Sequence, residues 1–231
     1  MDKETKLLLL DFLSQYITDK RKELFQKVLN NRTRHIAIVL EDIYQPHNAS
    51  AVLRSADLTG IQDVHIIENR NTYTLNPEVA MGSSKWLTMQ KYNDKKNNSE
   101  EAIQHLRNQG YRIVATTPHK GDQLLNEIPL KEKVAVFFGT ELTGLSDTVI
   151  SNADEYLKIP MYGFTESYNI SVSAALTMFT LSERLRKSEV NWRLKENEKI
   201  DILLEWTKRT IKRSDILEKQ FLENLLNDKS G

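Results

Sequence analysis

The stretch Ile159-Pro-Met-Tyr-Gly-Phe-Thr-Glu-Ser-Tyr-Asn-Ile-Ser-Val-Ser-Ala-Ala175 decides how this chain folds. An apolar strand end runs into Pro160 and a polar loop around Gly163, and a helix starts at Ser167 and Asn169. Ser and Asn suit that position because their side-chain oxygens accept from the first helical N–H groups. Those groups lack partners inside the helix, so a helix start favours ligands bearing carboxylates or lone pairs. Taken alone the segment reads first as an ordinary capped strand–loop–helix, and the other segments tip the balance toward a ligand site.

Working outward, short continuously apolar runs recur at Ile36–Leu40, Val64–Ile67, Tyr111–Ala115, Val134–Phe138 and Tyr156–Ile159. Runs of this kind suit strands buried on both faces of a parallel sheet. Helical patterns separate them. One covers Asn48–Leu58, with Pro46 before it, Asn48 as expected N-cap and Gly60 after it; others cover Glu100–Asn108, stopped by Gly110, and Asn169–Lys187. Alternation of strand and helix predicts an α/β domain with a mostly parallel sheet over residues 33–187. Residues 1–32 predict a helical extension whose apolar stripe is Leu7, Leu8, Leu10, Leu13, Tyr16 and Ile17. Residues 188–231 predict another, carrying Leu194, Ile200, Leu204, Trp206, Leu217 and Phe221 at helical spacing. Asn93–Ser99 reads as a polar surface loop.

The 231 residues are 39% hydrophobic and 28% charged, as in globular domains, and no apolar run reaches the length of a bilayer span. With no cysteine there is no disulfide, thiolate nucleophile or Cys-based zinc site, and the cytoplasm is the expected location. The 32 basic and 32 acidic residues cancel, but Lys20, Arg21 and Lys22 cluster, as do Lys208, Arg209, Lys212 and Arg213. Such clusters are either solvated helix faces or local phosphate-binding patches.

Several chemistries are excluded. There is no G-x-G-x-x-G, P-loop, H-E-x-x-H or G-x-S-x-G, and histidines 35, 47, 65, 105 and 119 are scattered, so no metal site is expected. Polar residues instead gather after three strands, at Glu41–Arg54, Gly139–Gly144 and Ile159–Ser173. Ligands of open parallel sheets sit at the carboxyl ends of the strands, so three such loops can share one cleft. Turn-making alone would also account for the glycines of Gly139-Thr-Glu-Leu-Thr-Gly144.

In this order and spacing the three segments resemble the SPOUT class of RNA methyltransferases, specifically its SpoU/TrmH branch. Asn48 followed six positions later by Arg54 resembles the first motif of that branch, Gly139-Thr-Glu-Leu-Thr-Gly144 the second, and Ile159 through Ala175 the third. Asn191-Trp-Arg-Leu-Lys-Glu-Asn197 is similar to the tail of the TrmH-type enzymes that act on tRNA. The resemblance implies an α/β-knot fold with a C-terminal trefoil knot, bound S-adenosyl-L-methionine, a homodimer, and methylation of a ribose 2′-hydroxyl, in this subfamily that of D-loop guanosine 18 of tRNA. Ribosomal RNA as substrate, or RNA binding without catalysis, are the alternatives. Carried over by position, Arg54 is the catalytic residue near the ribose, Asn48 positions it or the subunit interface, Glu141 orients it or the substrate, and Ser167 and Asn169 complete the site. Thr116, Gly139, Ile159, Met161, Gly163 and Tyr168 line the cofactor pocket; the branch commonly has Leu where this chain has Tyr168. The basic clusters become the tRNA-docking surface.

Overall fold

Five apolar runs do pair side by side. In the computed structural model, which describes residues 1–74, 76–117 and 123–228, they form a seven-stranded sheet in the order β3-β2-β1-β6-β4-β7-β5, with every pairing parallel. The strands are β1 (Thr33–Glu41), β2 (Ile61–Ile67), β3 (Thr88–Tyr92), β4 (Tyr111–Thr116), β5 (Gln123–Leu124), β6 (Lys133–Phe138) and β7 (Glu155–Lys158). Helices α3 (Pro46–Thr59), α4 (Pro77–Ala80), α5 (Asn98–Asn108), α6 (Asp147–Asn152) and α7 (Ile170–Arg186) connect or follow them.

Alternate residues of each strand face opposite sides of the sheet, which gives two cores. Ile36, Ile38, Leu40, Val134 and Val136 pack with Val52, Leu53 and Ala56 of α3 and Ala174, Met178 and Leu181 of α7. Ala37, Val39, Ala135 and Phe137 pack with Ala102, Ile103 and Leu106 of α5 and Val149 of α6. Gly60 ends α3 at φ 80°, a left-handed cap that a side chain would strain.

Several boundaries differ from the sequence expectation. The N-cap of α3 is Gln45, with Pro46 in the first turn, so Asn48 lies inside the helix and its side chain is free for another partner. Asn98 and Ser99, expected in a surface loop, are buried in the first turn of α5. Val190 and Trp192 pack on the first core and Thr33 Oγ1 donates to the Trp192 carbonyl at 2.6 Å, so the α/β unit runs over Thr33–Trp192.

The remaining chain, Met1–Arg32 with the part from Arg193, forms a separate helical unit of α1 (Lys3–Ser14), α2 (Asp19–Leu29), α8 (Glu196–Thr210) and α9 (Ser214–Asp228). Its core joins Leu9 and Leu13 to Leu204, and Phe25 meets the Trp206 ring at 5.5 Å. Leu7, Leu8 and Tyr16, expected on the inward stripe, are exposed, because Leu9 and Leu13 at i and i+4 set the buried face.

Candidate active site

The loop after β6 is shaped by its own backbone. Thr140 and Gly144 exchange two hydrogen bonds of 3.0 Å, and Thr143 N–H donates to Thr140 Oγ1 at 3.1 Å. A Cβ on Gly139 would lie 2.2 Å from the carbonyl carbon and oxygen of Gly144, so only glycine lets the two strands of the loop meet. The loop leaves Glu141 and Leu142 exposed. Ser146, which caps α6, is fastened to Glu41 at the end of β1: its N–H and hydroxyl donate to the carboxylate at 2.8 and 2.7 Å, and Ser99 Oγ donates there too. This buried carboxylate locks the loop end to β1 and α5, a role the sequence offered no sign of.

Beside this loop is a cleft of about 500 Å³. Its walls are apolar at Phe138, Leu145, Leu157, Ile159 and Ile170, with hydroxyls of Thr116, Thr117 and Ser173 and the carboxylates of Glu141 and Glu166. Of the residues expected to hold the cofactor, Thr116, Gly139, Ile159, Met161 and Tyr168 line it, as does Ser167. Gly163 does not: it stands between the exposed rings of Tyr162 and Phe164, with nothing within 4 Å of its Cβ position.

At the cleft a short polar chain crosses from helix to loop. Asn169 caps α7, its Oδ1 accepting from Ser171 N–H at 2.9 Å, while its Nδ2 donates to Asn48 Oδ1 at 3.3 Å. Asn48 Nδ2 in turn donates to the Glu141 carboxylate, and to Gln45 Oε1 at 3.2 Å. Asn48 is buried; Glu141 is exposed. The structure thus brings Asn48, Glu141 and Asn169 together beside Ser167. It does not bring Arg54 into that chain. Arg54 is exposed on α3 and has no hydrogen-bond or ion-pair partner among the described residues.

The basic clusters lie in the helical unit and are partly neutralised. Lys208 pairs with Glu218 at 2.7 Å, Arg209 with Glu205 at 3.7 Å and Lys22 with Asp19 at 2.9 Å, and Arg21 lies over the Phe25 ring. Lys20 and Lys212 carry no such pair among the described residues, and Arg213 sits at φ 59° where α8 turns into α9. His65 and His35 are buried hydrogen-bonding groups, bonded to Tyr92 Oη at 2.9 Å and the Leu130 carbonyl at 2.8 Å; His119 lies outside the described residues. Among the described residues no group of three or more His, Asp or Glu could hold a metal ion, and no helix is long and apolar enough to cross a membrane.

The sequence matches the model of the SpoU rRNA Methylase family over residues 35–179. It is 47% identical over 215 residues to a tRNA (guanosine(18)-2′-O)-methyltransferase of Borreliella burgdorferi, spanning 93% of this chain and 94% of that protein. In structure it is similar to the A. aeolicus TrmH/SpoU tRNA modifying enzyme, with a TM-score of 0.74 and 25% identity over 84% of this chain and 98% of that one. It shares its fold with an AdoMet-bound rRNA methyltransferase from Sinorhizobium meliloti, with a TM-score of 0.59 and 23% identity over 69% of this chain and 59% of that one.

Proposed function

We propose a function that proceeds from one premise: the chain belongs to the SpoU rRNA methylase family. The chain is an S-adenosyl-L-methionine-dependent methyltransferase that acts on a ribose 2′-hydroxyl of tRNA, at guanosine 18. The observation that carries this reading is the Asn169–Asn48–Glu141 chain standing beside a cleft lined by the 139–144 and 159–168 loops. The B. burgdorferi relative, matched over nearly its whole length, bears the name of that reaction.

The cleft suits the cofactor. The backbone of the Gly139–Gly144 loop approaches closely, Phe138, Leu145, Ile159 and Ile170 offer apolar walls for an adenine, and Thr116, Thr117 and Ser173 offer hydroxyls. When bound, S-adenosylmethionine supplies a methyl group on a sulfonium sulfur. The chain's own residues have three tasks. The apolar walls exclude water. Asn48, fixed by Asn169, holds the Glu141 carboxylate at the cleft. Arg54 binds the sugar–phosphate of the target. A guanidinium is a poor base, so Arg54 holds the neighbouring phosphate with its planar fork, and that phosphate takes the hydroxyl proton.

The finer family features belong to the same proposal. The chain passing through the cleft loops threads as a trefoil knot. Two copies pair through α7, whose Val172, Leu176 and Phe179 are exposed at i, i+4 and i+7, together with exposed Leu58 of α3. Residues 1–32 serve as N-terminal extension, Thr33–Trp192 as methyltransferase domain and the chain from Arg193 as C-terminal extension. Lys20, Arg21, Lys22, Lys208, Arg209, Lys212 and Arg213 dock the tRNA, in the cytoplasm.

Nucleoside mass spectrometry tests the reading. Purified protein with S-adenosylmethionine and a tRNA transcript should yield 2′-O-methylguanosine, and a transcript with adenosine at position 18 should yield none. Product on ribosomal RNA fragments alone would transfer the activity to that substrate, and no product on any RNA would end the enzyme reading. Arg54→Ala should lower the rate by at least about 10²-fold while calorimetry still shows cofactor binding. An Arg54→Lys variant with near-full activity would remove the need for a planar fork.

A further inference from the structure

The backbone that carries a second exposed arginine, Arg70, is fixed by a set of hydrogen bonds. Asp42, the residue after β1, is buried and sits at φ 54°, a conformation strained for any residue with a side chain. Its Oδ1 accepts the backbone N–H groups of Asn69, Arg70 and Asn71 at 2.7, 2.8 and 3.3 Å, and its carbonyl accepts Asn71 Nδ2 at 2.7 Å. On either side the same segment is tied again. Asn69 Nδ2 donates to Ser99 Oγ at 2.8 Å and its Oδ1 accepts from Asn98 N–H at 2.8 Å. The Glu68 carboxylate accepts from Tyr73 N–H at 2.8 Å and Asn93 Nδ2 at 3.0 Å. In the middle of this clamp the Arg70 side chain is exposed and has no hydrogen-bond or ion-pair partner among the described residues.

The clamp belongs to the edge of the sheet that carries the cleft. β2 pairs in parallel with β1 and β1 with β6, so the segment after β2, Asp42 after β1 and the 139–144 loop after β6 all stand at one carboxyl edge. Farther on, Asn76 N–H donates to Ser50 Oγ at 2.8 Å, one helical turn before Arg54. A fixed backbone removes one part of the freedom that an arginine loses on binding, and the guanidinium fork matches two phosphate oxygens.

We propose that Arg70 is a phosphate contact for the RNA substrate, outside the cofactor cleft, and that Asp42 is the positioning residue that holds it ready. The inference rests on the RNA methyltransferase reading above and deepens it by extending the RNA path along the edge from β6 across β1 to β2.

The test is tRNA binding across a potassium chloride series, with calorimetry of S-adenosylmethionine as the check on folding. Arg70→Ala should weaken tRNA binding roughly three- to tenfold and reduce the log–log salt slope by about 0.9, the signature of one lost phosphate contact, with cofactor affinity unchanged. Asp42→Ala, which removes the Oδ1 acceptor, should weaken tRNA binding in the same direction, and the double variant should bind no worse than Arg70→Ala alone, since positioning without its arginine has nothing left to lose. A Tm for each variant separates loss of folding from loss of contact. Arg70→Ala with wild-type affinity and slope, in a protein that still methylates tRNA, overturns this inference and leaves the enzyme reading standing. A wild-type protein that neither binds nor methylates tRNA overturns both.

Discussion

Asn169 Nδ2 donates to Asn48 Oδ1 at 3.3 Å across 121 residues of sequence, and the same Asn48 amide donates onward to Glu141. Asn48→Ala should therefore disconnect Glu141 from α7, lowering the methylation rate on the order of 10²-fold with cofactor affinity little changed. Asn48→Asp puts a second carboxyl against Glu141, and like charges at that range cannot both ionise cheaply. The Asp variant should melt below the Ala variant at pH 8, with a smaller gap at pH 5. Identical melting at both pH values would mean that the two groups do not interact.

Two glycines of the cleft loops should respond oppositely to alanine. At Gly139 the new methyl meets backbone, which cannot swing aside, so Gly139→Ala should open the loop, lose about 1–3 kcal/mol of stability and weaken S-adenosylmethionine binding more than tenfold. At Gly163 nothing lies within reach, and alanine should leave affinity within about twofold, as expected of a surface site. Calorimetry on the two variants decides it, and equal effects would contradict the geometry.

Burial pushes the His65 pKa from 6.5 down to about 4, with the His105 and Arg34 charges adding to the shift. The unfolded chain therefore takes up a proton below pH 6.5 that the folded one refuses until about pH 4. Stability is complete above pH 6.5 and falls as the pH drops through that window, by about 3 kcal/mol from this group. Burial of His35 acts in the same direction. Urea titrations between pH 7.5 and 4.5 should show the decline, and His65→Gln should reduce it, leaving the part due to His35. A wild-type curve without slope there would show that the folded ring takes up its proton at the same pH as the unfolded one.

If α7 pairs two copies, Phe179→Glu should yield monomers in sedimentation. Phe179 is exposed and the charge would disturb no core contact within the protomer, so its circular dichroism should match the parent. A dimer that persists would move the interface elsewhere.

The sheet and its two long helices were legible because burial on both faces leaves unbroken apolar runs, as at Ile36–Leu40 and Val134–Phe138. β3 was not, since Thr88, Gln90 and Lys91 are exposed on an edge strand and break the run. α6 is a short helix capped by Ser146, too brief for periodicity to register. Asn48 illustrates the harder limit. Its residue type fits a cap, and only the tertiary fold, by delivering Glu141 from 93 residues away, shows that its amide is spent elsewhere. The same holds for Asp42 and Glu41, ordinary acids in the sequence whose partners are backbone amides and serines of distant segments.

Strand order has a consequence during synthesis. Ile36 of β1 registers with Val134 of β6, and β4 and β7 then build outward from β6. On the ribosome, one edge of β1 waits with its amides and carbonyls open until β6 has emerged. At about 5–20 residues per second that interval lasts on the order of ten seconds. A nascent chain with so long-lived a sticky flank is a natural client for chaperones, and fragments ending before β6 should aggregate when overproduced.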